Sequence, residues 1–381
     1  MGRGLVGTRG RCWVGLVGAL LMPCLPAAAK SASAPAGRAL RILESYEVAG
    51  EPSSATDVRW AGERSVYLAR QYDGVSELRL EKDLPRVRQM VPNRETLGLK
   101  NYRAFSRLAV SKDFLAWGQW VGLVAWRSLA QRSDGQVNFE WKAMAYTEDV
   151  DLAGDRLLVL GAMYEDPAEY RNFSPDGAVA FLGSVREESK QAFKPILFDP
   201  AGPGALHLLH CGKFELGGAR FLADGSFFIV PGFQPGAHLF SAEGALVRTW
   251  NTALLGLDAD ADCASMTMDA SVALDHQADR RAQWLNEHRV VDAVLPLPSG
   301  PALVIRSVAG GKVRWELDVL AAGRIETYDV PVAARSVRER LRGDYLNGRI
   351  ILLTTEEGLR PHVEKSSSRL VVLELPRGGN S

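Results

Sequence analysis

The sequence is poor in the features that usually reveal a function. Its 45 Lys and Arg balance its 45 Asp and Glu. Arg3, Arg9 and Arg11 belong to the first 29 residues, which hold no acid, so the remainder carries a slight acidic excess. That balance offers no electrostatic footprint for nucleic acid or for an anionic bilayer, and both are excluded as partners. There is no Gly-x-Ser-x-Gly elbow, His-Glu-x-x-His pair, Cys-x-x-Cys pair or phosphate-cradling glycine loop. The segment Gly202-Pro203-Gly204 reads as a hairpin turn. Beyond residue 29 no apolar run is long enough to span ~30 Å of hydrocarbon. Cysteine is scarce: Cys12 and Cys24 near the start, then Cys211 and Cys263.

The amino terminus is richer in signal. Three arginines precede the apolar run Cys12 to Leu21, followed by Pro23, Pro26 and Ala27-Ala28-Ala29 before Lys30. This basic, apolar, small-residue order is that of a secretory signal peptide cleaved after Ala29. Pro23 stands where a lipoprotein site needs a small residue, which argues against lipidation of Cys24. The expected organisation is a signal peptide over 1–29, a flexible Ser/Ala/Pro/Gly lead-in over 30–38, one domain over 39–376 and a tail over 377–381. The expected location is the periplasm or the extracellular space, and the expected state is a monomer. An exported chain with two remaining cysteines suggests a disulfide.

From residue 39 onward one theme repeats. A strand reaches a tight polar turn, an apolar strand follows, and a second hairpin comes after it. The turns centre on Ala61-Gly62, Lys112-Asp113, Gly154-Asp155, Asp224-Gly225, Ser299-Gly300 and Asn347-Gly348. Gly, Asn and Asp suit such turns because they tolerate positive φ. The strands that follow read Ser65–Leu68, Phe114–Trp117, Leu157–Leu160, Phe227–Val230, Ala302–Ile305 and Ile350–Leu353, each continuously apolar or nearly so, as expected for strands buried on both faces. Second hairpins are expected over Val75–Val91, Leu123–Met144, Leu197–Leu206, Leu239–Leu246 and Val313–Tyr328. Their polar–apolar alternation, as in Val313-Arg314-Trp315-Glu316-Leu317, suits half-exposed outer strands.

These units predict an all-β fold: a six-bladed β-propeller of four-stranded antiparallel blades. The last unit ends on its third strand, Ser368–Leu375. The unattached first strand, Leu40–Val48, is expected to pair beside it and close the ring. A two-sheet or two-domain β protein is the alternative.

Ala219-Arg220-Phe221-Leu222-Ala223-Asp224-Gly225-Ser226-Phe227 and the hairpin Leu239–Trp250 resemble the six-bladed bacterial propellers of the NHL and TolB-like groups. Roughly residues 40–376 can be phrased in that pattern. The resemblance implies the fold and transfers no catalytic residue.

Two irregular segments stand out: Met163–Phe193, within blade three, and Asn251–Arg289, between blades four and five. Alternation of strand direction sends both from the same face. Cys211, after the last strand of blade three, and Cys263, in the second segment, are expected to form a disulfide there. A short helix is expected over about Ala270–Glu287, with Leu274, Ala278, Arg281 and Leu285 at helical spacing and Trp284 beside them. Insertions that gather on one face of a repeat fold often mark its binding face. The binding-face candidates are therefore Tyr164, Glu165, Asp166, Tyr170 and Arg171, with Asp258, Asp260, Asp262 and Trp284.

No catalytic residue and no metal ligand is assigned. Asp258, Asp260, Asp262 and Asp269 match part of a calcium-loop spacing, but Cys263 replaces its glycine and Asp269 its final Glu. The segment reads as a solvated acidic loop, and no cofactor is expected. In a strand, His207 and His210 would point to opposite faces, a poor geometry for one metal. His276 and His288 read as surface residues. The sequence reading is an exported binding or scaffold propeller for a protein, peptide or glycan. The alternative is a metal-dependent lactonase-like hydrolase, which needs carboxylate and Asn or His side chains converging on the channel; Glu51-Pro52 is a faint echo of such a ligand. A redox propeller would need an attachment motif for quinone or haem, and none is present.

Overall fold

A computed structural model of the chain describes residues 38–48, 55–70, 73–81, 86–91, 105–119, 123–131, 133–138, 145–163, 180–187, 192–196, 217–230, 236–257, 286–321, 324–336, 338–356 and 368–376. The chain divides into residues 1–36 and 37–381, and every described residue belongs to the second unit.

Two strands come first, β1 (Arg38–Ala39) and β2 (Arg41–Val48). Blade I is β3 (Ala55–Gly62), β4 (Ser65–Arg70), β5 (Gly74–Arg79) and β6 (Arg86–Val91). Blade II is β7 (Phe105–Val110), β8 (Phe114–Gln119), β9 (Leu123–Ser128) and β10 (Asp134–Asn138). Blade III is β11 (Ala145–Ala153), β12 (Arg156–Met163), β13 (Ala180–Ser184) and β14 (Lys194–Ile196). Blade IV is β15 (Gly218–Phe221), β16 (Phe227–Val230), β17 (Gly236–Phe240) and β18 (Leu246–Asn251). Blade V is β19 (Val290–Leu297), β20 (Gly300–Ala309), β21 (Lys312–Ala321) and β22 (Arg324–Val330). Blade VI is β23 (Glu339–Leu346), β24 (Arg349–Glu356) and β25 (Ser368–Glu374), completed by β2.

Each blade is an antiparallel meander from the axis outward, and the first strands touch in a closed cycle, β3–β7–β11–β15–β19–β23 and back to β3. The six expected turns all join a first strand to a second. At the β23–β24 turn both Asn347 (φ 49°) and Gly348 (φ 81°) take positive φ, the geometry that matches a two-residue hairpin to strand twist.

The expected quartets of the second strands, from Ser65–Leu68 to Ile350–Leu353, are buried except for the half-buried Ser65 and Phe114 that open the first two. They form the seams between blades. Tyr67 and Ala69 meet Leu115 and Trp117 between blades I and II. Phe228 and Val230 meet Leu303 and Ile305 between IV and V. Val58 and Val66 meet Ile351 and Leu353 between VI and I. A buried side chain of this size contributes ~1.5–3 kcal/mol, so radial stacking of sheets is the main source of stability.

The ring closes as the sequence predicts. β2 pairs antiparallel with β25, placing Ser45 opposite Val371 and Tyr46 opposite Leu370. The clasp goes further than expected. β1 pairs parallel with β22 of blade V, and the Leu40 N–H donates to the Asp329 carbonyl at 3.0 Å. Blade V thus has five strands, and Leu40 is buried in the core shared by blades V and VI. One short segment ties two neighbouring blades.

Blade III departs from expectation. Its third and fourth strands are β13 and β14, not the hairpin expected over Leu197–Leu206. The pseudo-repeat Leu197-Phe198-Asp199-Pro200 resembles the true turn after Leu239-Phe240, whereas β13 carries Gly183 where a side chain would be expected. The ring of Phe193 occupies that place: a Cβ on Gly183 would lie 2.4 Å from it. The first irregular segment therefore shrinks from 163–193 to the connection 164–179. Residues 270–285 of the expected helix lie outside the described residues. A four-residue helix that was not expected, α1 (Thr252–Leu255), follows β18, with Asn251 Oδ1 accepting the Leu254 N–H at 3.0 Å.

Candidate functional site

The first strand of each blade has no strand on its axial side, so its backbone N–H groups there need other acceptors. Aspartates supply them across the seams. Asp57 Oδ2 accepts the Leu108 N–H at 2.9 Å, joining blades I and II. Asp149 and Asp151 accept the Ala219 and Phe221 N–H groups at 2.9 and 2.7 Å, joining III and IV. Asp292 accepts the Leu341 N–H at 3.2 Å between V and VI, and Asp344 the Trp60 N–H at 2.9 Å between VI and I. Blades IV and V are joined by a backbone bond, Gly217 N–H to the Val291 carbonyl at 2.8 Å.

Arginines on the same strands neutralise these carboxylates. Arg59, 2% exposed, pairs with Asp57 at 2.8 Å, approaches Asp149 at 3.4 Å and reaches the Gly343 carbonyl at 3.4 Å. One guanidinium thus links blade I to blades III and VI. Arg220 pairs with the other oxygen of Asp149. Between blades V and VI, Asp292 accepts from Arg340 Nε at 2.6 Å and from the Trp315 indole at 2.8 Å. Its carbonyl accepts from Arg342 at 2.6 Å.

The titration behaviour follows from burial and these partners. Burial opposes ionisation of Asp149, but Arg220, Arg59 and Arg107 together hold its carboxyl below the usual range. Burial would push the Arg220 guanidinium down; Asp149 and Asp151 hold it above its ordinary value instead. Asp151 is different. Burial pushes it up to about 6, against the pull of Arg220 and Arg59.

This arrangement can clamp blades, and it fits a metal poorly. The described axial carboxylates are committed to guanidinium and backbone donors, and among the described residues no three His, Cys, Asp or Glu side chains converge. No step through a metal is derived. The nine binding-face candidates, Tyr164, Glu165, Asp166, Tyr170, Arg171, Asp258, Asp260, Asp262 and Trp284, lie outside the described residues, as do Cys211, Cys263 and Glu51. The connections that hold the candidates join strand ends on one face, opposite the six tight turns. Sequence reasoning missed the axial charges. Their signal was the alternation Asp57-Val58-Arg59, Asp149-Val150-Asp151 and Arg340-Leu341-Arg342 in first strands.

No family model matches the chain, and no curated protein matches it. Among solved structures it is similar to the WD40 repeats of RRP9, with 10% identity, a TM-score of 0.47, and coverage of 88% of this chain and 100% of that one. It is similar to the streptogramin B lyase structure at 10% identity and TM-score 0.46, covering 88% of each chain. The WD40 propeller domain of Doa1 gives 8% identity and TM-score 0.45, with 89% of this chain and 98% of that one covered. These overlaps transfer no ligand, partner or chemistry. No helix among the described residues is long and apolar enough to cross a membrane.

Proposed function

We propose that the protein is an exported, monomeric binding propeller, related to the NHL and TolB-like groups, that holds a protein, peptide or glycan partner on the face of its long connections. Tyr164, Glu165, Asp166, Tyr170 and Arg171 contact the partner from one connection. Asp258, Asp260, Asp262 and Trp284 do so from another, which a Cys211–Cys263 disulfide secures. The observation that carries this reading is the engagement of axial charges: Arg59 bridges three blades and leaves the carboxylates it touches engaged in holding the ring. Carboxylates so engaged favour recognition on a face over chemistry at the centre. Connections of unequal length supply varied surface there, while tight turns dominate the other face.

A photo-reactive residue placed at Tyr170 or Trp284 is expected to give one adduct of defined mass in intact cells, and none when placed at Asp224 on the tight-turn face. Adducts from Asp224 alone would reverse the assignment of the face. A stoichiometric, tightly held metal in the purified protein, together with lactone or ester hydrolysis lost on its removal, would replace binding by the hydrolase reading.

A further inference from the structure

The connection between blades IV and V, residues 258–285, has both of its ends gripped by blade V. At the departing end Leu255 and Leu257 are buried in the seam core with Val291 and Leu320. Between them Gly256 takes a φ of 58°, a left-handed conformation that ends α1 and suits glycine. A Cβ there would stand 3.8 Å from Arg289 Nη1, so the guanidinium of the returning end lies beside the backbone of the departing one. Arg289 is itself aimed by β21. Its Nη2 donates to Glu316 at 2.7 Å and lies 3.8 Å from Asp318, whose other oxygen accepts from the Thr327 hydroxyl at 2.7 Å.

The second grip comes from inside the blade. Arg306 follows the apolar quartet Ala302–Ile305 on β20 and is fully buried, yet its Nη2 donates to Asn286 Oδ1 at 2.7 Å. Its register partner is Val290, the first residue of β19, so it sits where the returning chain enters the blade. A buried guanidinium gives up its hydration, and for packing alone an apolar side chain of similar volume serves as well. A charge in this place is explained by direction: a hydrogen bond fixes where Asn286 sits, and apolar contact does so only loosely.

We propose that Arg306 and Arg289 are positioning residues for partner binding. They fix the return of the connection against its departure, so that Asp258, Asp260, Asp262 and Trp284 meet the partner in one arrangement. The inference rests on the partner-face reading given above. A connection held at both ends has less freedom to lose when it binds, which lowers the ordering cost of the complex.

The test uses the full-length protein and two variants at half-buried residues, Asn286→Ala and Arg289→Gln, which leave the apolar core intact. Arg280 and Arg281 are the only tryptic sites in the connection, and Lys190 in blade III serves as an internal control. Brief trypsin treatment read by mass spectrometry is expected to show cutting after Arg280 or Arg281 rising by about tenfold in each variant, with cutting after Lys190 unchanged. In cells, the adduct from a photo-reactive residue at Trp284 is expected to fall by at least about threefold in both variants, while that from Tyr170 persists. Unchanged cutting after Arg280 and Arg281 in both variants would overturn the proposal. So would an equal rise after Lys190, which would mean that the whole ring is loosened, or an undiminished Trp284 adduct where cutting has risen. If the wild type gives no adduct from either position, it is the partner-face reading that fails, and the cutting rates alone decide whether the two arginines hold the connection.

Discussion

Arg220 of β15 and Phe228 of β16 are register partners in blade IV, yet they are held by opposite chemistry. Phe228 is fully buried in an apolar seam with Val291, Leu303 and Ile305 of blade V, edge-on to Trp250 at 5.7 Å. Arg220 is also buried and is ion-paired with Asp149 of blade III. One strand from the axis, water is excluded by packing. At the axis, where a strand has no neighbour on one side, the fold must supply acceptors for backbone N–H groups, and then counter-charges for those acceptors. The apolar seams provide the bulk of the stability. The axial charges fix which strand end meets which, a job that apolar surface does loosely because it is not directional.

That contrast can be broken most severely at Asp292. Asp292→Ala removes an acceptor shared by the Arg340 guanidinium, the Trp315 indole and the Leu341 N–H. Loss of a buried charge partner costs ~3–5 kcal/mol, read as a lowered urea midpoint. A loss near zero would mean that water reaches the axis and substitutes for the carboxylate.

A pH series sharpens the contrast. The folded-state pKa of Asp151 lies at about 6, raised by burial. Below about pH 4 the acid is protonated in both states and costs nothing. As pH rises from about 4 to about 6 the unfolded chain ionises first, so stability falls by about 3 kcal/mol. His238 acts in the other direction: burial lowers it to about 4, so stability falls as pH drops from about 6.5 to about 4. In the wild type the two partly cancel. Asp151→Asn keeps an acceptor for the Phe221 N–H and removes one side of the balance. Its stability is expected to drop on acidification from pH 6.5 to 4 by up to about 3 kcal/mol more than that of the wild type. Parallel pH curves for the two proteins would assign Asp151 an ordinary pKa.

The smallest effect belongs to the second strands. Ile351→Val removes one methylene from the blade VI seam and is expected to cost ~0.5–1.5 kcal/mol, with no dependence on pH. A pH-dependent cost there would couple the apolar seam to the axis.

The sequence made the ring legible through its punctuation. Asn347-Gly348 and Asp224-Gly225 announce hairpins, and the quartets behind them are too apolar for a half-exposed strand. The unattached strand over Leu40–Val48 predicted its own partner, β25, because the last blade was one strand short. The two residues of β1 were too short to register as a strand, although they bind the next blade. Blade III misled because β13 leaves space for Phe193 over Gly183, and short glycine-bearing strands look like loops. The axial charges were hidden for a different reason. In a strand, Asp57-Val58-Arg59 reads as one wet and one dry face. Only closure of the ring buries both, and no local pattern reports that closure. The partner-face candidates rested on the composition of two long insertions and on the face from which alternating strands send them.

The most direct measurement is a double-mutant cycle in urea on Asp149 and Arg220, using Asp149→Leu, Arg220→Met and the pair together. If the axis is a clamp of mutually neutralised charges, each single variant loses ~3–5 kcal/mol and the double variant loses clearly less than their sum, with a coupling of about 2 kcal/mol or more. Additive losses would show that the two side chains stabilise the ring independently, and the axial clamp would have to be abandoned.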